Sequence, residues 1–171
     1  VLMLIITSFS VFISVMYDRQ ELAVLSLIGG FATPFMVSTG QGNYQVLFTY
    51  VLILDLGMLV LAYLRKWNLL NILSYAFTMI LYFGWLQTKV IGQEKAPYKG
   101  AIIFAAVFYV LFICMSLIHN LKEKRKFGAV DITILVSNTF LFYGAGMQIL
   151  NYYHQELQGL FSMFLAAFNL V

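Results

Sequence analysis

Charge is what this sequence has least of: 10% of its 171 residues are Asp, Glu, Lys or Arg, against about 25% in an average soluble domain. Hydrophobic residues make up 62% and come in blocks rather than in a mixed pattern, so a soluble core cannot absorb them. There is one cysteine, Cys114, which excludes a disulfide framework or a thiolate metal cluster built from this chain alone. Histidine is nearly as scarce. His119 and His154 fall on opposite sides of the expected membrane, and nothing near them has metal-ligand spacing, so neither a metal nor a cofactor is expected. No nucleophile elbow or Ser/His/Asp grouping is present, which puts an enzyme last among the functional classes. The net charge of +3 is small, and the basic residues fall between apolar runs rather than along one face. That distribution argues against nucleic acid as a partner.

What is abundant is apolar sequence in runs long enough to matter. About 20 apolar residues cross roughly 30 Å of hydrocarbon as a helix, and seven stretches stand out. They cover about 1 to 17, 22 to 37, 44 to 64, 67 to 86, 100 to 118, 129 to 150 and 159 to 171. The expected fold is all-α, a polytopic transmembrane helical bundle with about seven spans and the bilayer as its first partner. The first, third and fifth connections carry Arg19, then Arg65 and Lys66, then Lys122, Lys124, Arg125 and Lys126; the others carry only Lys89, Lys95 and Lys99. Seven basic residues against three place the odd connections in the cytoplasm. The Gly40 and Tyr152 loops then face outward. Trp67, Trp85, Tyr44, Tyr98, Tyr152 and Tyr153 sit at the ends of the runs, where amphipathic rings anchor at headgroup level.

The chain opens without an initiator methionine, Val1 to Tyr17 lacks the marks of a signal peptide, and Gly159 to Val171 stops inside an apolar run. A fragment of a longer membrane protein is expected, in contact with other membrane chains or with the rest of its own. An intact mass near 19.5 kDa for the purified protein would contradict that.

Shifting the chain by 60 residues brings out a weak internal repeat, 61 to 84 on 121 to 144. Arg65, Lys66 and Trp67 fall on Arg125, Lys126 and Phe127, Asn71 and Ile72 on Asp131 and Ile132, and Leu81 to Gly84 on Leu141 to Gly144. The third and fourth stretches then form one hairpin and the fifth and sixth another. Both insert in the same orientation, a parallel repeat.

The candidate site residues are the polar groups inside these runs. Asp55 lies near the middle of the Tyr44 to Leu64 run, where a carboxylate costs roughly 2.5 to 3.5 kcal/mol on insertion scales and needs a partner or a task. On the fourth stretch Asn71, Ser74 and Thr78 share a face at i, i+3, i+7 spacing, with Tyr75 and Tyr82 beside them. In a tight hairpin Asp55 and this face reach nearly the same depth, so Asp55 can accept a hydrogen bond from Tyr75 or Thr78. Two readings stay open: a proton or cation site, or an interhelical hydrogen bond holding the bundle, at about 0.6 kcal/mol on average. Asp131 and Asn138 share a face in the sixth stretch. Asp131 stands in the first turn, facing the helix dipole and Lys126. The short second stretch is interrupted by Gly29, Gly30 and Pro34, which either line a substrate site or permit close packing. Ser38 to Asn43 lacks the Lys-Ser/Thr ending and the preceding strand of a phosphate-binding loop and reads as a tight external turn.

The run Leu27-Ile28-Gly29-Gly30-Phe31-Ala32-Thr33-Pro34, then Ser38-Thr39-Gly40-Gln41-Gly42-Asn43 and Leu47-Phe48-Thr49-Tyr50, resembles the signature of a bacterial multi-pass membrane family, domain of unknown function 2339. Arg65-Lys66-Trp67 and Leu69-Leu70-Asn71 fit the same pattern, so the specific part of the likeness covers about Leu22 to Trp85. The resemblance implies a long bacterial inner-membrane protein with many helices. It implies no reaction or substrate, and no shared catalytic carboxylate, since that pattern often carries a neutral amide at the place of Asp55. Two functional expectations follow from the residues. The first is a transport-type role, moving an ion, a lipid or an envelope precursor through an interior lined by Asp55, Asn71, Ser74, Thr78 and Asn138. The second is a non-catalytic scaffold or subunit of a larger membrane complex, its polar groups serving as helix contacts.

Overall fold

The computed structural model describes residues 6, 7, 9, 10, 13, 14, 16–37, 43–64, 67–93, 96–123 and 128–170. Among them every element is helical, as hydrocarbon demands: with no water to satisfy backbone groups, an isolated segment must bond its own N–H and C=O. The elements are α1 (Gln20–Val37), α2 (Tyr44–Leu64), α3 (Asn68–Trp85), α4 (Tyr98–Glu123), α5 (Ala129–Tyr153) and α6 (Gln158–Leu170). A π turn, Leu86–Val90, extends α3, and a 3-10 turn, Gln155–Leu157, joins α5 to α6. Four helical segments are long and apolar enough to cross a membrane: Tyr44–Leu61, Asn68–Val90, Tyr98–Ile118 and Ala129–Tyr153.

Those four make a ring. The sequence neighbours α2 and α3 pack together, as do α4 and α5, and the ring closes through α2 on α4 and α3 on α5. Helix α1 lies against α3 and α2 on one side, and α6 lies against α5 on the other. Lipid is as apolar as leucine, so close packing and hydrogen bonds hold such a ring rather than hydrophobic burial. Phe48 shows the packing term. It is wholly buried, and its ring centroid lies 4.9 Å from Trp85, 5.2 Å from Phe104, 5.7 Å from Tyr82 and 6.0 Å from Phe108, joining α2, α3 and α4. Gly100 lets Tyr44 lie directly on the start of α4, and Gly146 does the same for Phe161 of α6 on α5, since a Cβ at either glycine would collide with the ring. The outward faces carry Leu25, Val60, Ile80, Ile103, Val110 and Phe140, all exposed, as lipid-facing positions are.

Three sequence readings are adjusted. The second stretch is not interrupted at Gly29, Gly30 and Pro34: α1 runs unbroken from Gln20 to Val37 with Pro34 inside it. Proline has no N–H for the carbonyl four residues earlier, which is that of Gly30. The Tyr50 hydroxyl of α2 donates to that carbonyl at 2.8 Å, so the freed acceptor is filled. The fourth stretch does not end at 86, because the π turn carries the helix to Val90. The fifth runs on to Glu123, past the drop in hydropathy. Arg65, Lys66, Lys95, the 38–42 part of the external loop and 124–127 of the basic connection lie outside the described residues.

Candidate functional site

The α2–α3 hairpin positions the one carboxylate that lies mid-span. At its start, the side-chain oxygen of Asn43 accepts the Gln45 N–H at 2.9 Å, an N-cap that sets the register of α2. Gln45 and Thr49 apart, α2 is then apolar up to Asp55, which is 0% exposed. On α3, Ser74 and Thr78 are one turn apart and both fully buried on the face turned to α2. Ser74 Oγ donates to Asp55 Oδ1 at 2.6 Å, and Thr78 Oγ1 donates to Asp55 Oδ2 at 2.8 Å. Hydrogen bonds to an ionised acceptor are the short, strong kind, and each carboxyl oxygen here has one. No Lys, Arg or His among the described residues pairs with Asp55.

Two neighbours on α3 do something else. The Tyr75 hydroxyl lies 2.9 Å from Ser137 Oγ of α5, and its ring stands edge-on against Phe112 of α4 at 5.1 Å. It therefore ties α3 to α5 and does not reach Asp55. Asn71 is half-buried and makes no side-chain hydrogen bond among the described residues.

Across the ring, Asn138 is buried in α5, and its Nδ2 donates to the Tyr109 carbonyl of α4 at 2.9 Å. Its Oδ1 has no partner. A cavity of about 10 Å³ lies beside it, walled by Met79, Tyr82, Phe83, Phe108 and Phe142. Asp131 stays in the first turn of α5, where its carboxylate accepts the Gly128 N–H at 3.1 Å. That is a helix-start contact, away from the mid-span cluster.

Several bridging residues escape a sequence reading. Tyr82 donates to the Ala101 carbonyl at 2.9 Å, and Tyr153 donates to the carbonyls of Val90 and Gln93 at 2.8 and 2.9 Å, closing the end of the π turn. Tyr109 and Thr139 both donate to Asn169 Oδ1 of α6 at 3.2 Å. One of these contacts had a usable signal: Pro34 marks Gly30 as the orphan acceptor, and Tyr50 follows in the next helix. The others join segments about 20 to 60 residues apart that no periodicity links.

Chemically, the site offers one carboxyl with two hydroxyl donors in an apolar wall. No group of three His, Cys, Asp or Glu that would hold a metal occurs among the described residues. No curated protein and no solved structure matches the chain. The family described as "Predicted membrane protein (DUF2339)" matches residues 1–171. Its name states what the long apolar helices and buried polar contacts already indicate, and the chain belongs to that family.

Proposed function

We propose that this chain serves a transport-type role in a bacterial inner membrane, moving an ion, a lipid or an envelope precursor, and that Asp55 is the residue the role depends on. The observation that carries the reading is the complete burial of a lone carboxylate in the middle of a span. A neutral serine or asparagine would join α2 to α3 without the insertion penalty of an acid, and ionisable residues at this depth mark ion and substrate paths by default. In the same reading the chain crosses the bilayer about seven times, with the two hairpins α2–α3 and α4–α5 as a parallel repeat. The connections near Arg19, Arg65 and Lys122 to Lys126 lie in the cytoplasm, as the bias in basic residues favours.

A second reading, a membrane scaffold that holds partner chains, is supported by one specific observation. Both Asp55 oxygens are already bonded within the hairpin, which is what a purely structural contact requires. Flux through liposomes reconstituted with wild type and with Asp55→Asn separates the two readings. The transport reading expects flux from wild type and its loss in the variant, with detergent unfolding changed by less than about 1 kcal/mol. Equal flux from both, with lowered stability in the variant, would make Asp55 a structural contact only, and no flux from either would leave the scaffold.

A further inference from the structure

We infer that the group bound and released at Asp55 is a proton, and that Ser74 and Thr78 are the switchable partners that let the carboxyl gain and lose it without repacking the helices. This deepens the transport reading and rests on it, by naming the ion.

The first argument is spacing. Oxygens that share a metal cation lie about 2.3 to 2.6 Å from it, and a desolvated cation needs about six of them. At that distance, oxygens at right angles about one ion stand about 3.3 to 3.7 Å apart. Here Asp55 Oδ1 and Ser74 Oγ are 2.6 Å apart, and Asp55 Oδ2 and Thr78 Oγ1 are 2.8 Å apart. Those are the separations of oxygens with a hydrogen between them. The cluster offers four oxygens, short of the roughly six such a cation needs, in two pairs spaced as hydrogen bonds rather than as neighbours in its shell.

The second argument is what the hydroxyls do elsewhere in the molecule. Ser26, Thr33, Thr88, Thr133, Thr139 and Ser162 each donate to the carbonyl four residues earlier, at 2.8 to 3.1 Å. That back-bond is the local default of a helical Ser or Thr. Ser74 and Thr78 are diverted from it to Asp55, and each retains its own default acceptor one turn back, the carbonyls of Leu70 and Ser74. An ionised Asp55 takes both hydroxyl hydrogens. When Asp55 gains a proton, its new O–H donates to one of these hydroxyl oxygens, and that hydroxyl turns its own hydrogen back to the helix. All donors stay satisfied in both states, and no helix moves.

The third argument is the absence of a competing charge. On α1, the stretch packed here, Ala23 to Phe31, carries no titratable residue. On α3 the titratable neighbours are Tyr75, engaged with Ser137, and Tyr82, engaged with the Ala101 carbonyl. On α4 they are Tyr109, engaged with Asn169, and Cys114, which is exposed on the outer face. No fixed cation among the described residues holds Asp55 permanently ionised, so its own proton is the remaining means of neutralising it in hydrocarbon.

Infrared difference spectra of the purified chain in bilayers, taken across pH and with Asp55→Asn as reference, test this. A carboxylic-acid carbonyl band that titrates, is absent from the variant and is indifferent to added sodium or potassium is the expected result. Ser74→Ala with Thr78→Val should shift that band to higher frequency, because a carbonyl with fewer donors is stiffer, and this pair supplies the evidence if Asp55→Asn fails to fold. A band removed by sodium or potassium at fixed pH would overturn the proton assignment while leaving an ion-handling role in place. A carboxylate that never titrates would overturn both. A titrating band in a protein whose liposomes pass no protons, read with a pH-sensitive dye inside, would support the proton site and end the transport reading.

Discussion

The two hairpins of the ring carry different chemistry at positions 60 residues apart in the sequence. In the 60-residue register Asp55, Ser74 and Thr78 of α2–α3 fall on Met115, Ile134 and Asn138 of α4–α5. The first hairpin holds an acid with both oxygens bonded. The second has a buried thioether and a buried isoleucine at the positions of the acid and the serine, and Asn138, at the position of Thr78, joins α4 to α5 through a backbone carbonyl and leaves Oδ1 without a partner among the described residues. Both arrangements hold a helix pair. Only the first can exist in two charge states, and it alone has a hydroxyl pair suited to both. A helix contact in hydrocarbon therefore does not require an acid, and the α4–α5 hairpin makes that case within the same molecule.

The strongest way to break the comparison is to move the acid. Met115→Asp puts a carboxyl on α4 at the position 60 residues after Asp55, where Ile134, 60 residues after Ser74, offers no hydroxyl. The folded state should lose more than about 3 kcal/mol, measured by detergent unfolding. Adding Ile134→Ser should recover part of the loss, since the introduced hydroxyl and the Asn138 amide would then be the available donors. If Met115→Asp alone is as stable as wild type, partners matter less at this depth than the Asp55 cluster implies.

The converse change keeps the acid and removes its donors. Ser74→Ala with Thr78→Val leaves Asp55 buried and unbonded, which should cost about 2 kcal/mol or more. Replacing Asp55 by Leu as well should return most of it, because an apolar group of similar size needs no partner there. Failure of that triple variant to recover would mean that the hydroxyls stabilise the hairpin independently of the acid.

A smaller effect is expected at Asn138. Leucine there removes the bond to the Tyr109 carbonyl, about 0.6 kcal/mol for an average interhelical bond, together with the unpaired Oδ1, which is unfavourable where it is. The two terms oppose each other, so unfolding of Asn138→Leu should stay within about 1 kcal/mol of wild type. A loss several times larger would show that the amide has a partner in the cavity beside it, a bound water being the simplest.

These contrasts also mark where sequence reading works in a membrane chain. Apolar run length located α2 at Tyr44 to Leu64, the bounds it has in the structure. Counting from the Arg65–Lys66 turn brought the depth of Asp55 level with the Ser74–Thr78 face. Choosing between Tyr75 and Ser74 as donor was beyond that reasoning, since neighbours on a helix point about 100° apart and only α5, with Ser137 waiting, fixes where Tyr75 goes. The π turn was equally hidden: Leu86–Val90 differs from an α-helix in which carbonyl each N–H reaches, and hydropathy does not register that. The ring order was hidden for a related reason. Contacts of α2 with α4 and of α3 with α5 skip an element, and periodicity within one segment carries no information about its neighbour's neighbour.

The smallest effect belongs to an exposed acid contact, at the end of α5. Glu156 is exposed beside His154, 3.3 Å from its ring nitrogen, and its carboxyl is held below the usual value first by its own backbone N–H and then by the His154 side chain. A depressed value favours the folded state above the unfolded carboxyl's range and loses that contribution as pH falls through it. Solvent and salt screen such a pair, so the thermal midpoint of Glu156→Gln should lie at most slightly below wild type in dilute buffer at neutral pH, and the two should converge in high salt and as pH falls through the carboxyl's range. A clear downward shift at neutral pH would mean that this end of α5 is shielded from water. In that event the contrast between a carboxyl at Asp55 and one at Glu156 would no longer be a contrast between hydrocarbon and solvent.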